Sequence, residues 1–353
     1  MNNLCVDLGW RSINKHGEQL CGDRVVFARN EDTRIGVLAD GLGSGVKASI
    51  LSTLTSKILC RMIADNIDPI DSIETVLQTL PVCKVRGIAY STFSVIHINR
   101  HGEGSLIEFD NPQAILFHDG RCMDFDRTEV EIGGKKVYKS ALALQENDMV
   151  LVMSDGTVHA GLGKILNFGW SRKQIMEHLD RTVRPEMSAR AVCCLLASAC
   201  NDLYLDKPGD DTTVAAIKLR KPLSVSLMVG PPVDRESDGY YVSSFLAQPG
   251  KKVVCGGTTA MIVARNLGKT LETSFDFPDK DVPPIGFIEG IDLVTEGVLT
   301  MRRLLDLSSK YLSVSDLTPK TFPKKDGASL LAEILFEEAT DITFFVGQSV
   351  NKA

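Results

Sequence analysis

Acidic residues at the ends of predicted strands constrain the first part of this chain more than any other sequence feature. The cases are Asp40 after Arg34–Ala39, Asp155 after Asp148–Met153, Asp23 before Arg24–Ala28, and the pair Asp210–Asp211 before Thr212–Leu219. One isolated Asp-Gly is usually only a turn. The repetition of acidic residues at strand ends instead predicts that several carboxylates meet at one edge of a sheet.

Carboxylates that meet in this way repel one another unless cations neutralise them. A ligand set made only of oxygens suits Mg²⁺ or Mn²⁺. The glycine after Asp40 supports this interpretation, because Gly41 has no Cβ to obstruct the approach of an ion to its carbonyl. The sequence therefore predicts a divalent-metal site that includes Asp40 and Gly41.

Composition excludes several other classes of protein. Of the 353 residues, 44% are hydrophobic and 24% are charged, which is typical of a globular chain. The net charge of −6 argues against a nucleic-acid partner. The longest apolar stretch, Ala191–Cys200, is too short to span a membrane, so we expect no membrane partner. The 9 cysteines show no C-x-x-C spacing and indicate reduced thiols, hence a cytoplasmic location.

The pattern of predicted strands and helices changes near Arg220-Lys-Pro222. All the acidic strand ends come before this point, and the segment after it alternates strand and helix patterns as α/β domains do. We therefore predict one domain over residues 1–221 and a smaller α/β domain over 222–353. The second domain is expected to have a regulatory or ligand-binding role.

Two glycine-rich segments resemble nucleotide or anion sites. Gly41-Leu-Gly-Ser-Gly45 fails as a dinucleotide motif, because the third glycine of that motif would fall on Val46. In the second domain, Lys252–Ala260 predicts a strand, a glycine turn and a helix start that could bind an anion. The alternative is a tight turn with a threonine as N-cap, and we favour it.

The acidic motifs together resemble the PPM family of metal-dependent serine/threonine phosphatases, and within it the branch of stage II sporulation protein E. The motifs are Cys21-Gly-Asp23, Leu38-Ala-Asp-Gly-Leu-Gly-Ser-Gly45, Phe109-Asp-Asn-Pro-Gln-Ala114, Met153-Ser-Asp-Gly156 and Gly209-Asp-Asp-Thr-Thr213. The resemblance covers roughly residues 4–220 and does not extend to the second domain.

The resemblance implies an α+β fold, a four-layer αββα sandwich with two Mn²⁺ or Mg²⁺ ions at one end. Asp40 would bridge both ions, and the Gly41 carbonyl would bind one of them. Asp155 and Asp210 would hold the other ion, while Asp23 would act mainly through water. Asp211 stands where relatives often carry Asn and is assigned a supporting role in the metal site. Asp40, Asp155 and Asp210 are also the predicted catalytic residues.

The implied function is that of an enzyme, a hydrolase that removes phosphate from phosphoserine or phosphothreonine. A hydroxide bridging the two ions would attack phosphorus in line with the leaving serine oxygen. Relatives act on small bacterial regulators, so the expected partner is a phosphoprotein substrate such as an anti-anti-sigma-like regulator. The alternative is a catalytically silent binding or sensing module with the second domain as its ligand sensor. The oligomeric state stays open.

The sequence departs from the family pattern at the general acid. Relatives that resemble protein phosphatase 2C place a histidine directly after Asp-Gly, and this chain has Leu42 there. His16 and His159 are the nearest histidines, and isolated histidines are more often structural. Arg11 and Arg24 are candidates for gripping the phosphate, but a solvated surface role is at least as common.

Overall fold

A computed structural model describes residues 4–79, 91–274, 282–312, 322 and 325–349. Contacts divide the chain into two compact units, with the main boundary between Lys221 and Pro222. Each unit is described by itself below.

In its described residues, the first unit contains two antiparallel sheets and five helices. Its strands are β1 (Cys5–Ile13), β2 (Asp23–Arg29), β3 (Thr33–Gly41), β4 (Ser91–Asn99), β5 (Glu103–Phe109), β6 (Ile115–His118), β7 (Arg121–Met123), β8 (Thr128–Ile132), β9 (Lys135–Ala143), β10 (Met149–Met153) and β11 (Thr212–Arg220). Its helices are α1 (Gly45–Ala64), α2 (Pro69–Thr79), α3 (Asp155–Val158), α4 (Arg172–Thr182) and α5 (Ala189–Leu203).

The two sheets have the strand orders β1-β11-β10-β6-β7 and β2-β3-β4-β5-β9-β8. Side chains from both sheets form one core cluster, in which Leu38 and Ile96 of the second sheet join Val152 and Ile217 of the first. Because both faces of the central strands are covered, a strand such as β10 is a continuous, fully buried apolar run rather than an alternating one.

The helices form the outer layers. The first sheet packs against α4 and α5 through a cluster that includes Leu179 and Leu196. The second sheet packs against α1 and α2 through Leu59 and Ile73. Ser171 begins α4 with a capping box, and its hydroxyl accepts a hydrogen bond from the Gln174 backbone N–H. The predicted α+β fold, a four-layer αββα sandwich, is confirmed for this unit.

The second unit is an α/β layer structure, as predicted. Its strands are β12 (Ser224–Val229), β13 (Lys251–Cys255), β14 (Glu272–Thr273), β15 (Gly286–Phe287), β16 (Leu293–Thr295) and β17 (Asp341–Val346). Its helices are α6 (Asp238–Leu246), α7 (Gly257–Leu267), α8 (Val298–Leu312) and α9 (Gly327–Glu333), and a π-helical turn, Ile334–Glu338, follows α9.

Four of these strands, β16-β13-β12-β17, pair in parallel, while β14 and β15 extend the sheet in antiparallel pairings. Helices α8 and α9 cover the sheet face that carries Leu227 and Val253. Helices α6 and α7 cover the opposite face, which carries Met228 and Val254.

One local prediction for the second unit was wrong, because no threonine caps α7. Its N-cap is Gly256, whose φ of 112° strongly favours glycine, and no side chain makes a cap hydrogen bond there. Helix α8 begins at Val298, after the strand Leu293–Thr295, which pairs with β13.

Candidate metal centre

The site is built where strand ends from both sheets meet. In the second sheet, Asp23 begins β2 and Asp40 lies one residue before the end of β3. The antiparallel register places these two residues directly opposite each other. Neighbouring strands thereby bring two carboxylates to one edge of the sheet.

Glycine allows the turn after Asp40 to lie close to α1. A Cβ on Gly41 would come 2.1 Å from the carbonyl oxygen of Ala48, which is shorter than any real contact of this kind. The Gly41 backbone N–H donates to the carbonyl oxygen of Gly22, 3.2 Å away, and this ties the turn to the segment before β2. The glycine is therefore required by packing as well as by any role of its carbonyl.

The first sheet contributes the other acidic residues through the pairing of β10 with β11. Met153, the last residue of β10, pairs with Val214 near the start of β11. Asp155 therefore follows β10 close to the point where Asp210 and Asp211 precede β11. The backbone here is tightly packed, since a Cβ on Gly156 would lie 2.1 Å from the carbonyl oxygen of Asp211.

Ser154 links the two sheets at the site. Its hydroxyl donates to Asp23 Oδ2 at 2.7 Å and accepts a hydrogen bond from the Thr213 backbone N–H at 2.8 Å. Ser154 and Thr213 lie within the quoted motifs but were not predicted to take part in the site. The available signal was their position within two residues of predicted ligands, Asp155 and Asp211.

Asp210 and Asp211 are held by local hydrogen bonds. Asp211 Oδ1 accepts the backbone N–H of Lys15 at 2.9 Å, and Asp210 Oδ1 accepts the backbone N–H of Asp211 at 3.0 Å. The ammonium Nζ of Lys15 lies 4.0 Å from Asp210 Oδ1. Asp211 is buried, whereas Asp210 is half-buried and closer to solvent.

These aspartates interact electrostatically, because the charge of one raises the pKa of another. Burial raises the pKa of Asp40 to about 9, and the charges of Asp23, Asp155 and Asp210 add to the effect. Burial also raises the pKa of Asp23, although the hydrogen bond from Ser154 opposes this. Burial and the neighbouring Asp155 raise the pKa of Asp210. Without cations, the cluster disfavours its own full ionisation.

Within this cluster, two buried carboxylate oxygens have no hydrogen-bond partner among the described residues. They are Oδ1 of Asp23 and Oδ2 of Asp211, on residues that are 5% and 4% exposed. A buried acceptor without a partner loses the favourable interactions it had in water. Oxygen atoms of this kind in a cluster of carboxylates fit hard divalent cations such as Mg²⁺ or Mn²⁺.

His159 lies at the site, and His16 has no comparable placement. Nδ1 of His159 is 3.9 Å from Asp155 Oδ2. Ligand atoms of Asp155, His159 and Asp210 all lie within 4.8 Å of one another. His16 is an exposed turn residue whose backbone N–H donates to Pro208. The i,i+4 spacing from Asp155 was the sequence signal for His159.

The two candidate arginines differ in their surroundings. Arg11 is only 4% exposed and lies on β1, paired with Val214 of β11, so it is not a solvated surface arginine. Arg24 is exposed on β2, next to Asp23. Leu42, at the position of the missing histidine, is half-buried.

The Asn-Pro motif between β5 and β6 stabilises the neighbouring strands. Asn111 Oδ1 accepts a hydrogen bond from Thr92 at 2.6 Å, and its Nδ2 donates to Ser94 at 3.1 Å. Glu108 accepts the backbone N–H of Ala114 at 2.7 Å. These hydrogen bonds hold in place the segment that connects β5 of one sheet to β6 of the other.

A family model for stage II sporulation protein E matches residues 30–220, which is more than half of the chain and includes four of the five aspartates. The chain belongs to the SpoIIE family. This confirms the predicted resemblance and makes the chain a member of the PPM-type metal-dependent protein phosphatases, which are hydrolases. No curated protein matches the chain.

Solved structures with a similar fold agree with this assignment. The chain is similar to the PP2C phosphatase domain with a regulatory fragment of SpoIIE from Bacillus subtilis, at 19% identity and a TM-score of 0.54. That match covers 62% of this chain and 64% of the other. It is also similar to the RsbU and RsbW domains of a Mycobacterium tuberculosis protein, at 18% identity and a TM-score of 0.51, covering 69% and 68%.

A membrane-spanning helix is not found in the part of the chain that the structure describes. The cysteines described there, 8 in number, are all free thiols.

Proposed function

We propose that this SpoIIE-family member is a Mn²⁺- or Mg²⁺-dependent phosphatase that hydrolyses phosphoserine or phosphothreonine on a regulatory protein of bacterial type. The observation that carries the proposal is the convergence of five aspartates from both sheets. Two buried oxygens within that cluster have no hydrogen bond from the described residues. A divalent cation is a fitting partner for these oxygens.

Asp40, Asp155 and Asp210 are the proposed metal ligands with a catalytic role, together with the Gly41 carbonyl. Asp40 is the proposed bridge between two ions, as the resemblance implies, and the charges of Asp23, Asp155 and Asp210 all act on its carboxyl. When bound, such ions neutralise phosphoryl charge and lower the pKa of a water molecule.

Asp23 and Asp211 have proposed supporting roles in the same site. Ser154 holds Asp23 through Oδ2 and leaves Oδ1 directed away from that bond. The Lys15 backbone N–H holds Asp211 through Oδ1 in the same manner. Each carboxylate is thus oriented by one oxygen, and the other remains for a cation or a water molecule bound to it.

The proposed substrate is a phosphoprotein such as an anti-anti-sigma-like regulator, and the cytoplasm is the proposed compartment. The substrate proposal is supported by the family and by the fold shared with an RsbU domain. The alternative, a catalytically silent binding or sensing module, is disfavoured because all the aspartates of the motifs are present and interact electrostatically with one another.

The test is hydrolysis of p-nitrophenyl phosphate and of a phosphoserine peptide by the full chain. We expect turnover with Mn²⁺ or Mg²⁺, loss of turnover after chelation, and recovery when the ion is restored. Turnover that survives complete chelation would contradict the proposal, as would a metal-loaded protein that hydrolyses neither compound.

A further inference from the structure

We propose that His159 supplies an imidazole nitrogen to the ion held by Asp155 and Asp210, which makes this site favour a transition-metal ion over Mg²⁺. The inference rests on the proposed function, since it assumes that these aspartates bind a divalent ion. It assigns a ligand that the acidic motifs do not contain.

The backbone places His159 one helical turn after Asp155. The His159 backbone N–H donates to the Asp155 carbonyl oxygen at 3.0 Å, so the two side chains lie on the same side of the turn. Their atoms Nδ1 and Oδ2 are 3.9 Å apart. Two atoms that each bind one ion at about 2.1 Å are separated by at most about 4.2 Å. The observed distance therefore lets both atoms bind one ion.

Asp210 lies close enough to complete the set. The candidate ligand atoms of Asp155, His159 and Asp210 all fall within 4.8 Å of one another. Any separation above about 4.2 Å would have to shorten slightly for all three atoms to bind one ion. Asp210 is half-buried, and its Oδ1 accepts one hydrogen bond, from the Asp211 backbone N–H.

The buried oxygens behind this set provide an independent reason for a cation. Asp23 Oδ1 and Asp211 Oδ2 are buried and have no hydrogen-bond partner among the described residues. The charges of Asp155 and Asp211 both act on Asp23, so these oxygens belong to the same cluster. The site therefore needs positive charge at its buried side as well as at its exposed side.

A simple surface ion pair between His159 and Asp155 accounts for less of the geometry. The separation of 3.9 Å is too long for a hydrogen bond. Within the described residues, no hydrogen bond to the ring nitrogens of His159 is present, so both nitrogens are available. His159 is 47% exposed on its side chain, and a metal ion approaching from solvent can reach it.

The ligand chemistry leads to selectivity. Mg²⁺ prefers oxygen ligands and keeps its water, whereas imidazole suits first-row transition-metal ions better. A nitrogen ligand beside two carboxylates should therefore strengthen binding of Mn²⁺ more than binding of Mg²⁺. The preference for Mn²⁺ over Mg²⁺ would come from the His159 side chain alone, so it can be removed by a substitution that leaves every aspartate in place.

The test is pulsed electron paramagnetic resonance of Mn²⁺ bound to the full chain, with protein labelled by ¹⁴N- or ¹⁵N-histidine. We expect nitrogen modulation from a directly bound imidazole in the wild type, with a pattern that changes on ¹⁵N labelling. The labelling comparison needs no mutation and so does not depend on how a variant folds.

His159→Gln and His101→Gln provide the matched pair of variants, since His101 is an exposed histidine in the turn between β4 and β5. We expect His159→Gln to lose the modulation and about tenfold in Mn²⁺ affinity, with Mg²⁺ affinity changed less than about twofold. His101→Gln should behave as the wild type.

The outcomes separate this inference from the proposed function. If Mn²⁺ binds and shows no histidine nitrogen, or if His159→Gln keeps the modulation, the inference is wrong and the metal-dependent function stands. If the wild type binds no Mn²⁺ at all, both are wrong.

Discussion

Asp23 and Asp40 are paired directly across two antiparallel strands, and Ser154 from the other sheet donates a hydrogen bond to Asp23 at 2.7 Å. The hydrogen bond between Ser154 and Asp23 thus links the two sheets of the sandwich at one end. Burial raises the pKa of both carboxyls, and each aspartate acts on the other or on a shared neighbour. As two anions, the pair opposes folding at this point unless a cation binds. Metal binding and local stability are therefore coupled here.

The first prediction concerns Asp40→Asn and Asp155→Asn. Each removes one anionic ligand and little packing, so metal-dependent hydrolysis should fall by about 100-fold or more. Relief of repulsion should raise the melting temperature of the metal-free protein by about 2–4 °C, as about 1 kcal/mol does in a domain of this size. The checks are steady-state kinetics and calorimetry with chelator. An Asp40→Asn protein with near wild-type turnover would contradict the proposed ligand set.

The second prediction is a pH dependence of the metal-free protein. The pKa of Asp40 is raised to about 9 in the folded chain, against an unfolded value of about 4. The folded state therefore holds this proton over a range where the unfolded state has lost it. The contribution of Asp40 to stability is complete below about pH 4 and is lost as the pH rises toward about 9.

This dependence is measured as urea midpoints at pH 5 and pH 8 in chelator. Relative to Asp40→Asn, the wild type should lose about 1 kcal/mol or more between these two pH values. The comparison with the variant cancels the titrating groups that do not interact with Asp40. If the stability difference between the wild type and Asp40→Asn is the same at both pH values, or changes in the opposite direction, Asp40 does not have a raised pKa.

The third prediction concerns Gly41. A Cβ at this position would lie 2.1 Å from the carbonyl oxygen of Ala48, so Gly41→Ala must displace α1 or the turn after Asp40. We expect a loss of about 1–3 kcal/mol in unfolding free energy and a marked loss of hydrolysis. Gly257→Ala is the control, because a Cβ there meets no atom within 4 Å. Equal stability of the two variants would contradict the packing described for Gly41.

The fourth prediction concerns Leu42, which occupies the position of the family's histidine. Without a histidine acid here, Leu42→Ala should reduce turnover far less than Asp40→Asn does. The rate should depend steeply on the pKa of the leaving group, with aryl phosphates cleaved faster than alkyl phosphates. Kinetics over a series of phosphate esters measures this slope. Rates that do not vary with the pKa of the leaving group would indicate an effective general acid.

The fifth prediction is that residues 1–221 fold and act alone. The proposed metal ligands lie in the first unit, and its core clusters contain only residues before Lys221. A fragment ending at Lys221 should be soluble, bind Mn²⁺ and hydrolyse aryl phosphate, while residues 222–353 should fold without metal. Removing the second part should change activity on a protein substrate more than on an aryl ester. An insoluble 1–221 fragment would show that the domain boundary is misplaced.

The sandwich could be predicted because its motifs mark strand ends. Asp40 and Asp155 each follow a buried apolar run, and the structure ends a strand within two residues of both positions. The convergence of the two strand ends depends on tertiary register, as in the pairing of Met153 with Val214, which no local pattern contains. Family resemblance supplied that information and composition did not.

Other features could not be predicted for physical reasons. The i,i+4 spacing of Asp155 and His159 brings the two side chains together only if the chain forms a helical turn directly after β10, and the sequence alone does not establish that turn. The N-cap of α7 was misassigned because threonine is the better cap by propensity, whereas the backbone needs a positive φ that glycine provides at Gly256. Tertiary packing decided both cases.

The most direct test of the central claim is the number of Mn²⁺ ions bound per chain, measured by equilibrium dialysis alongside phosphatase activity. The proposed function, with the two-ion site that the resemblance implies, predicts two ions per chain in the wild type. Hydrolysis should rise as the sites fill and disappear when chelation empties them. A wild-type chain that binds no Mn²⁺ or Mg²⁺, or one that hydrolyses phosphate esters equally well when emptied, would contradict the account.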